Sequence, residues 1–144
     1  MLIVDGIYGF NGDYHFLSNF HPATVEYNGL IYPTTEHAYQ ASKTLNHSER
    51  LIISNLPFPA LAKKAGKRAK MRDDWDSIKV SVMRELLDLK FQHPHLKQQL
   101  IDTGDLYLEE TNYWRDTFWG VCNGKGNNVL GNLLMELRDR LNNA

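Results

Sequence analysis

The sequence predicts an α+β fold, a single helix-rich domain packed around a small β-sheet, and three patterns carry that expectation. Residues 24–27 and 30–32 flank Asn28-Gly29, a dipeptide that accepts the positive φ angles of a type I′ hairpin turn. Trp75, Ile78, Val82, Leu86 and Leu89 recur at spacings of three and four, which gives a helix one apolar face. Val129, Leu133, Leu137 and Leu141 fall four apart and mark a second such helix. With 144 residues, the chain suits one domain spanning 1–144 that buries a core without disulfide or metal staples.

In chain order, residues 2–8 read as a short strand, followed by the hairpin. Pro33 should end the strand pairing, and Thr34 or Thr35 then caps a helix running from Glu36 to about Leu45. Residues 47–56 read as a second helix and 59–65 as a third, with Pro59 in its first turn and Gly66 suited to its C-terminal cap. Asp73 or Asp74 caps the long striped helix, which Pro94 ends. Residues 96–103 form a short helix closed by Gly104, residues 105–109 alternate like a strand, and Asn128 or its neighbour opens the last helix. No internal repeat, low-complexity tract or linker interrupts this order.

Hydrophobic residues at 42% and charged residues at 23% describe an ordinary globular chain, not a disordered one. A net charge of −1 argues against binding nucleic acid by bulk electrostatics, leaving only a local basic patch for that purpose. Cys122 is the sole cysteine, which excludes an intramolecular disulfide and a Cys-rich zinc site. The histidines lack ligand spacing, His93-Pro94-His95 being interrupted by a helix breaker, so neither a metal nor another cofactor is expected. Residues 1–6 lack the basic and apolar regions of a secretory leader, and no run approaches the roughly 20 apolar residues of a membrane span. The expectation is a cytoplasmic protein with no membrane association and no obligate protein partner.

Two segments about 80 residues apart hold most of the chemistry-bearing side chains. In Tyr32-Pro33-Thr34-Thr35-Glu36-His37-Ala38-Tyr39-Gln40-Ala41-Ser42-Lys43, about 100° per residue puts Gln40 roughly 40° and Lys43 roughly 20° from Glu36 around a helix axis. A carboxylate and an amine two turns apart can bracket a small ligand, with an acid–base group at one end and a cation or nucleophile at the other. A solvated helix face, with Glu36 favourably placed near the N-terminus, fits the same spacing.

The second segment is Asp116-Thr117-Phe118-Trp119-Gly120, where one turn would bring a carboxylate beside an indole face that can hold a flat ring or a sugar. It leads into Asn123-Gly124-Lys125-Gly126-Asn127-Asn128, which offers glycine flexibility before a helix N-terminus whose free N–H groups can bind phosphate. This is not a Walker A loop, because Gly126 follows Lys125 in place of Ser or Thr. Trp119 as a core residue and Asn128 as a plain N-cap are the alternatives.

Other signals are weaker. Lys63, Lys64, Lys67, Arg68, Lys70 and Arg72 supply six of the sixteen cations within ten residues, and a guanidinium at Arg68 or Arg72 can grip a phosphate with two parallel bonds. A solvated face explains the same run. Trp75 opens the apolar stripe and fits core packing, whereas Ser18 and Asn19 can present polar groups from a loop anchored by Phe16 and Phe20.

Phe16-Leu17-Ser18-Asn19-Phe20, the segment around Glu36, Asp116-x-x-Trp119-Gly120 and Gly126-x-Asn128-x-Leu130-Gly131-x-x-Leu134-Met135-x-x-Arg138 together resemble the YbiA-like N-glycosidases of the NADAR family. The resemblance implies functional roles for Glu36, Trp75, Asp116, Trp119 and Asn128, with Glu36 catalytic. It further implies a small phosphorylated ribosyl substrate, an early riboflavin-pathway intermediate. Removal of ADP-ribose from guanine in nucleic acid is a sibling activity in the same group, and an ADP-ribose-binding module without turnover is the alternative of another class. Two routes fit the residues: Glu36 and Asp116 as a carboxylate pair at an oxocarbenium-like centre, or Lys43 as a nucleophile that forms a Schiff base with an open-chain sugar.

Overall fold

The computed structural model describes residues 5–144. Its elements, in order, are β1 (Gly6–Tyr8), a 3₁₀ helix (Gly12–Leu17), β2 (Pro22–Tyr27), β3 (Leu30–Thr34), α1 (Thr35–Ala41), α2 (His47–Ser54), α3 (Pro59–Arg68), α4 (Trp75–Lys90), α5 (Pro94–Asp102), β4 (Tyr107–Glu109), β5 (Thr111–Asn112), β6 (Val121–Cys122) and α6 (Val129–Asn142). The fold is α+β and helix-rich, as expected. Its strands are divided among three two-stranded sheets: β1–β4 and β5–β6 are parallel, and β2–β3 is antiparallel. Residues 2–4 of the first expected strand lie outside the described residues.

The chain forms two compact units, one comprising residues 19–93 and the other residues up to Ser18 together with 94–144. In the first, the hairpin turns at Asn28 (φ 51°) and Gly29 (φ 84°), the positive angles its sequence anticipates. Pro33 does not end the pairing. Thr34 still pairs with Pro22, and Ala23 and Thr24 together stand opposite Pro33, so the proline occupies a bulge where its missing N–H interrupts nothing.

Helix α1 ends at Ala41, four residues before the expected Leu45. Ser42 explains this: its hydroxyl bonds the Ala38 carbonyl at 2.7 Å, and Lys43 and Thr44 then donate to carbonyls three residues back. Gly66 is not a C-terminal cap but a buried residue inside α3, which continues to Arg68. Asp74 holds the N-cap position of α4 without capping by its side chain, because its carboxylate is taken by Arg72. Pro94 does not end α4, which stops at Lys90; it opens α5.

The apolar stripe of α4 buries Trp75, Val82, Met83, Leu86 and Leu87, while Ile78 and Leu89 are only half-buried. In the second unit, Leu108 of β4 and Leu130, Leu134 and Leu137 of α6 are buried together with Leu96 and Leu100 of α5. The β4–α6 and α5–α6 pairings organise this core. Among the described residues no helix is long and apolar enough to cross a membrane.

Thr34 caps α1, its hydroxyl oxygen accepting the His37 N–H at 3.1 Å. The His37 ring is fully buried, with Nε2 2.9 Å from the Leu56 carbonyl and Nδ1 2.7 Å from the Thr34 hydroxyl. A carbonyl only accepts, so the Nε2 proton must be present and Nδ1 takes the hydroxyl proton of Thr34. Burial pushes the imidazole pKa below its ordinary 6.5, and the Leu56 bond opposes this more weakly.

The unfolded chain therefore takes up this proton first, so the stability from neutral His37 is complete above about pH 6.5 and is lost as pH falls through and below that value. The melting temperature should drop between about pH 8 and about pH 5.5 by clearly less in His37→Gln than in the unmodified chain. Equal drops in both would assign the acid sensitivity elsewhere.

Candidate active site

Glu36 lies in the first turn of α1 and is only 8% exposed, an unusual position for a carboxyl group unless it is hydrogen-bonded. Its Oε2 accepts a 2.6 Å bond from Gln40 Nε2, one helical turn on, so Glu36 and Gln40 do share a face. Its backbone N–H donates to the Asn19 carbonyl at 3.0 Å. Asn19 and Gln40 each carry a buried acceptor without a hydrogen-bond partner, Asn19 Oδ1 and Gln40 Oε1. The Asn19 amide nitrogen donates to the Met83 sulfur at 3.6 Å. Buried polar atoms of this kind are rare in folded proteins and call for an explanation such as a functional role.

Lys43 does not lie on the helix face that the spacing predicted, since α1 has already ended; it occupies the turn that follows. It stays close to the same group of residues. Its ammonium lies 5.5 Å from the centre of the Tyr39 ring, and Tyr39 in turn packs at 5.2 Å against the buried Trp75. Burial pushes the Lys43 pKa down; the Glu36 charge pulls it up, and Lys63, Lys67 and Lys79 push it further down. Two of those cations belong to the basic run on α3, so that run acts on the electrostatics of Lys43.

Arg68 stands exposed in the last turn of α3. Arg72 is bidentate to Asp74, with Nε–Oδ1 at 2.6 Å and a second bond of 3.1 Å to Oδ2. Its guanidinium already has the two parallel bonds that a phosphate would take.

In the other unit, Asp116 Oδ1 accepts the backbone N–H of Phe118 at 3.1 Å and of Trp119 at 2.9 Å, forming the turn anticipated between them. Half-buried Trp119 stacks edge-on against Phe118 at 4.9 Å. Asn112 fixes Asp116 from the other side, its amide accepting the Asp116 N–H at 3.1 Å and donating to the Asp116 carbonyl at 2.8 Å. The three residues so enclosed form a projecting tip: Tyr113 is 89% exposed, Trp114 packs edge-on against it, and Arg115 has φ 68°. Sequence reading missed Asn112, because nothing in its spacing distinguishes a clamp from a loop amide.

The start of α6 departs from expectation. The N–H groups of Asn127, Asn128, Val129 and Leu130 donate to the carbonyls of Thr117, Gly120, Phe118 and Trp119, so these are not free to bind phosphate. Asn128, at φ 49°, does not cap the helix by its side chain. Its amide instead donates to the Leu108 carbonyl and the Tyr107 hydroxyl and accepts the Glu110 N–H. Gly126 permits a close backbone approach, since a Cβ there would stand 2.1 Å from the Gly120 oxygen. Ser18 follows the 3₁₀ helix and donates its backbone N–H to His15. Among the described residues no three His, Cys, Asp or Glu side chains converge on a metal site.

The NADAR domain pattern matches residues 8–142, nearly the whole length. The chain belongs to the NADAR family. An N-glycosidase YbiA from Shigella flexneri is 41% identical over 138 residues, covering 93% of this chain and 86% of the relative. A riboflavin biosynthesis protein of Vibrio vulnificus is 36% identical over 130 residues, covering 88% of this chain but only 35% of that longer protein. The solution structure of E. coli YbiA superposes with a TM-score of 0.84 at 36% identity, covering 98% of this chain and 88% of that one. This NADAR domain thus has the fold of YbiA.

The Asp116 turn can be separated from the Asp116 charge. Asp116→Asn keeps an oxygen for the Phe118 and Trp119 N–H groups and should unfold in denaturant near the midpoint of the unmodified domain. Asp116→Ala leaves both donors without that acceptor and should lose about 1–2 kcal/mol.

Proposed function

We propose that this domain hydrolyses the N-glycosidic bond between a ribose-derived carbon and an amine or nucleobase nitrogen. Its best-fitting substrates are the reactive phosphorylated ribosylamino compounds of early riboflavin biosynthesis, whose removal limits chemical damage. The observation that carries this reading is the buried Glu36 carboxylate, oriented by Gln40 and electrostatically linked to a Lys43 whose proton is loosened by burial. Family membership adds support, as do relatives named N-glycosidase and riboflavin biosynthesis protein.

In the carboxylate route, Glu36 and Asp116 divide two tasks: one stabilises positive charge at the anomeric carbon while the other passes protons between water and the leaving nitrogen. Water adds to the sugar, and the amine leaves with a proton. In the Schiff-base route, neutral Lys43 attacks C1 of the ring-opened sugar, expels the amine, and is itself released by water. Arg68 is the better placed of the two arginines for a substrate phosphate, although the exposed Arg72–Asp74 pair is weak enough to exchange. Trp119, beside Asp116, offers a face for a flat ring; Trp75 backs the Tyr39 ring over which Lys43 lies. Ser18, Asn19, Gly126 and Asn128 complete the substrate-contact set that the family pattern suggests, Asn128 and Gly126 by shaping backbone.

The exposed cations Lys64, Lys67, Arg68 and Lys70 favour a second reading, removal of ADP-ribose from guanine in a polyanion. Product analysis with a ribosylaminopyrimidine phosphate, ADP-ribosylated guanine DNA and free ADP-ribose separates them. Release of amine from the first compound alone is the expected result; release of guanine DNA selects the second reading, and saturable ADP-ribose binding without turnover would mark a binding module. With the productive substrate, Glu36→Gln and Asp116→Asn should each lose at least about a hundredfold in turnover while remaining folded. Near-normal rates in both would refute the two-carboxylate assignment. Lys43→Arg preserves charge and should abolish turnover if the Schiff-base route operates, with borohydride trapping a sugar adduct on Lys43. Retained activity and no adduct in the mass spectrum leave the carboxylate route.

A further inference from the structure

Gln40 meets a second neighbour that the helix-face pattern does not reveal. A Cβ placed on Gly66 of α3 would stand 1.9 Å from Gln40 Oε1, 2.8 Å from its Cδ and 3.0 Å from its Cβ. Gly66 is buried inside the helix and has no positive φ, so the backbone does not require glycine there. In a helix interior alanine is the intrinsically better residue. The neighbouring side chain, and not the local conformation, demands the missing methyl.

The Gln40 amide has little choice of orientation. A Glu36 carboxylate only accepts, so Nε2 must face it, and Oε1 must then point into the notch over Gly66, where it is buried without a partner. A charge-assisted bond of 2.6 Å to Glu36 offsets that unsatisfied oxygen.

We propose that Gly66 is a positioning residue: the notch it leaves in α3 seats the Gln40 amide so that it orients the Glu36 carboxylate and favours its ionised form. This rests on the reading of Glu36 as the reacting carboxylate, and it adds a device on a different helix that sets the state of that group. Gly66→Ala should displace the amide. Glu36 then loses a hydrogen-bond donor to its charged form, and its pKa rises.

The test combines turnover of a ribosylaminopyrimidine phosphate with NMR titration of the Glu36 side-chain carboxyl in the free protein. Gly66→Ala should lower kcat by about ten- to a hundredfold with little change in KM, the scale of one charged hydrogen bond. The Glu36 titration should move upward, and Gln40→Ala should reproduce both effects. In the Gln40→Ala background, Gly66→Ala should lower kcat by only a small fraction of what it costs alone, because the methyl then meets the alanine Cβ at 3.0 Å and no longer an amide. This double variant also serves if Gly66→Ala alone fails to fold, since truncating the glutamine removes the 1.9 Å and 2.8 Å contacts.

Unchanged Glu36 titration in Gln40→Ala overturns the orienting role. A loss from Gly66→Ala in the Gln40→Ala background as large as in the unmodified chain overturns the notch, because the methyl would then act through general packing and not through the amide. Titration is read without substrate, so it judges the notch even if Glu36→Gln retains full turnover, the result that would instead remove Glu36 from the chemistry.

Discussion

Helix α1 has seven residues and every one is buried, although Thr35, Glu36, His37 and Gln40 are polar. A helix enclosed on all sides has no solvated face on which to place such groups, so they either find partners within the surrounding packing or, like the Thr35 hydroxyl and Gln40 Oε1, stay unsatisfied. Thr34 closes the N-terminus and fixes the His37 ring, Leu56 takes the other ring nitrogen, and Gln40 takes Glu36. The hairpin, α2, α3 and α4 all pack against this short segment. What each contributes is set by what α1 cannot provide for itself: an acceptor from the Leu56 carbonyl, a backbone acceptor from Asn19, and space at Gly66.

Local chemistry made much of this legible in the sequence. Asn28-Gly29 announced the hairpin because few other dipeptides accept two positive φ angles, and the α4 stripe announced its buried face because periodicity survives small errors in the ends. Glu36 and Gln40 could be put on one face by counting. Lys43 could not be placed, since a serine hydroxyl that adds a second bond to the Ala38 carbonyl, already held by the Ser42 N–H, is a local interaction that propensity does not decide. The start of α6 failed for a different reason. Its N–H groups are taken by a strap several residues upstream, so the pairing depends on how the chain returns and not on the residues at the terminus.

The basic run illustrates how one pattern can divide into several jobs. Lys63 and Lys67 bear on the protonation of Lys43, Arg72 is paired with Asp74, and Arg68 stays exposed at the end of its helix. Counting cations treats them as a patch. Geometry separates an electrostatic influence on a candidate nucleophile from a surface ion pair and from a group available to an anion, which have different energetic weights.

The Asn112 amide joins the two ends of the tip formed by Tyr113, Trp114 and Arg115 and leaves Asp116 outside the enclosed segment. Closure of this kind separates inheritance of the carboxylate from inheritance of the tip. Residues above the clamp can be exchanged, shortened or enlarged while the atoms that aim Asp116 stay the same. A scaffold arranged in this way can change the outer surface offered to incoming molecules without rebuilding the groups beneath it.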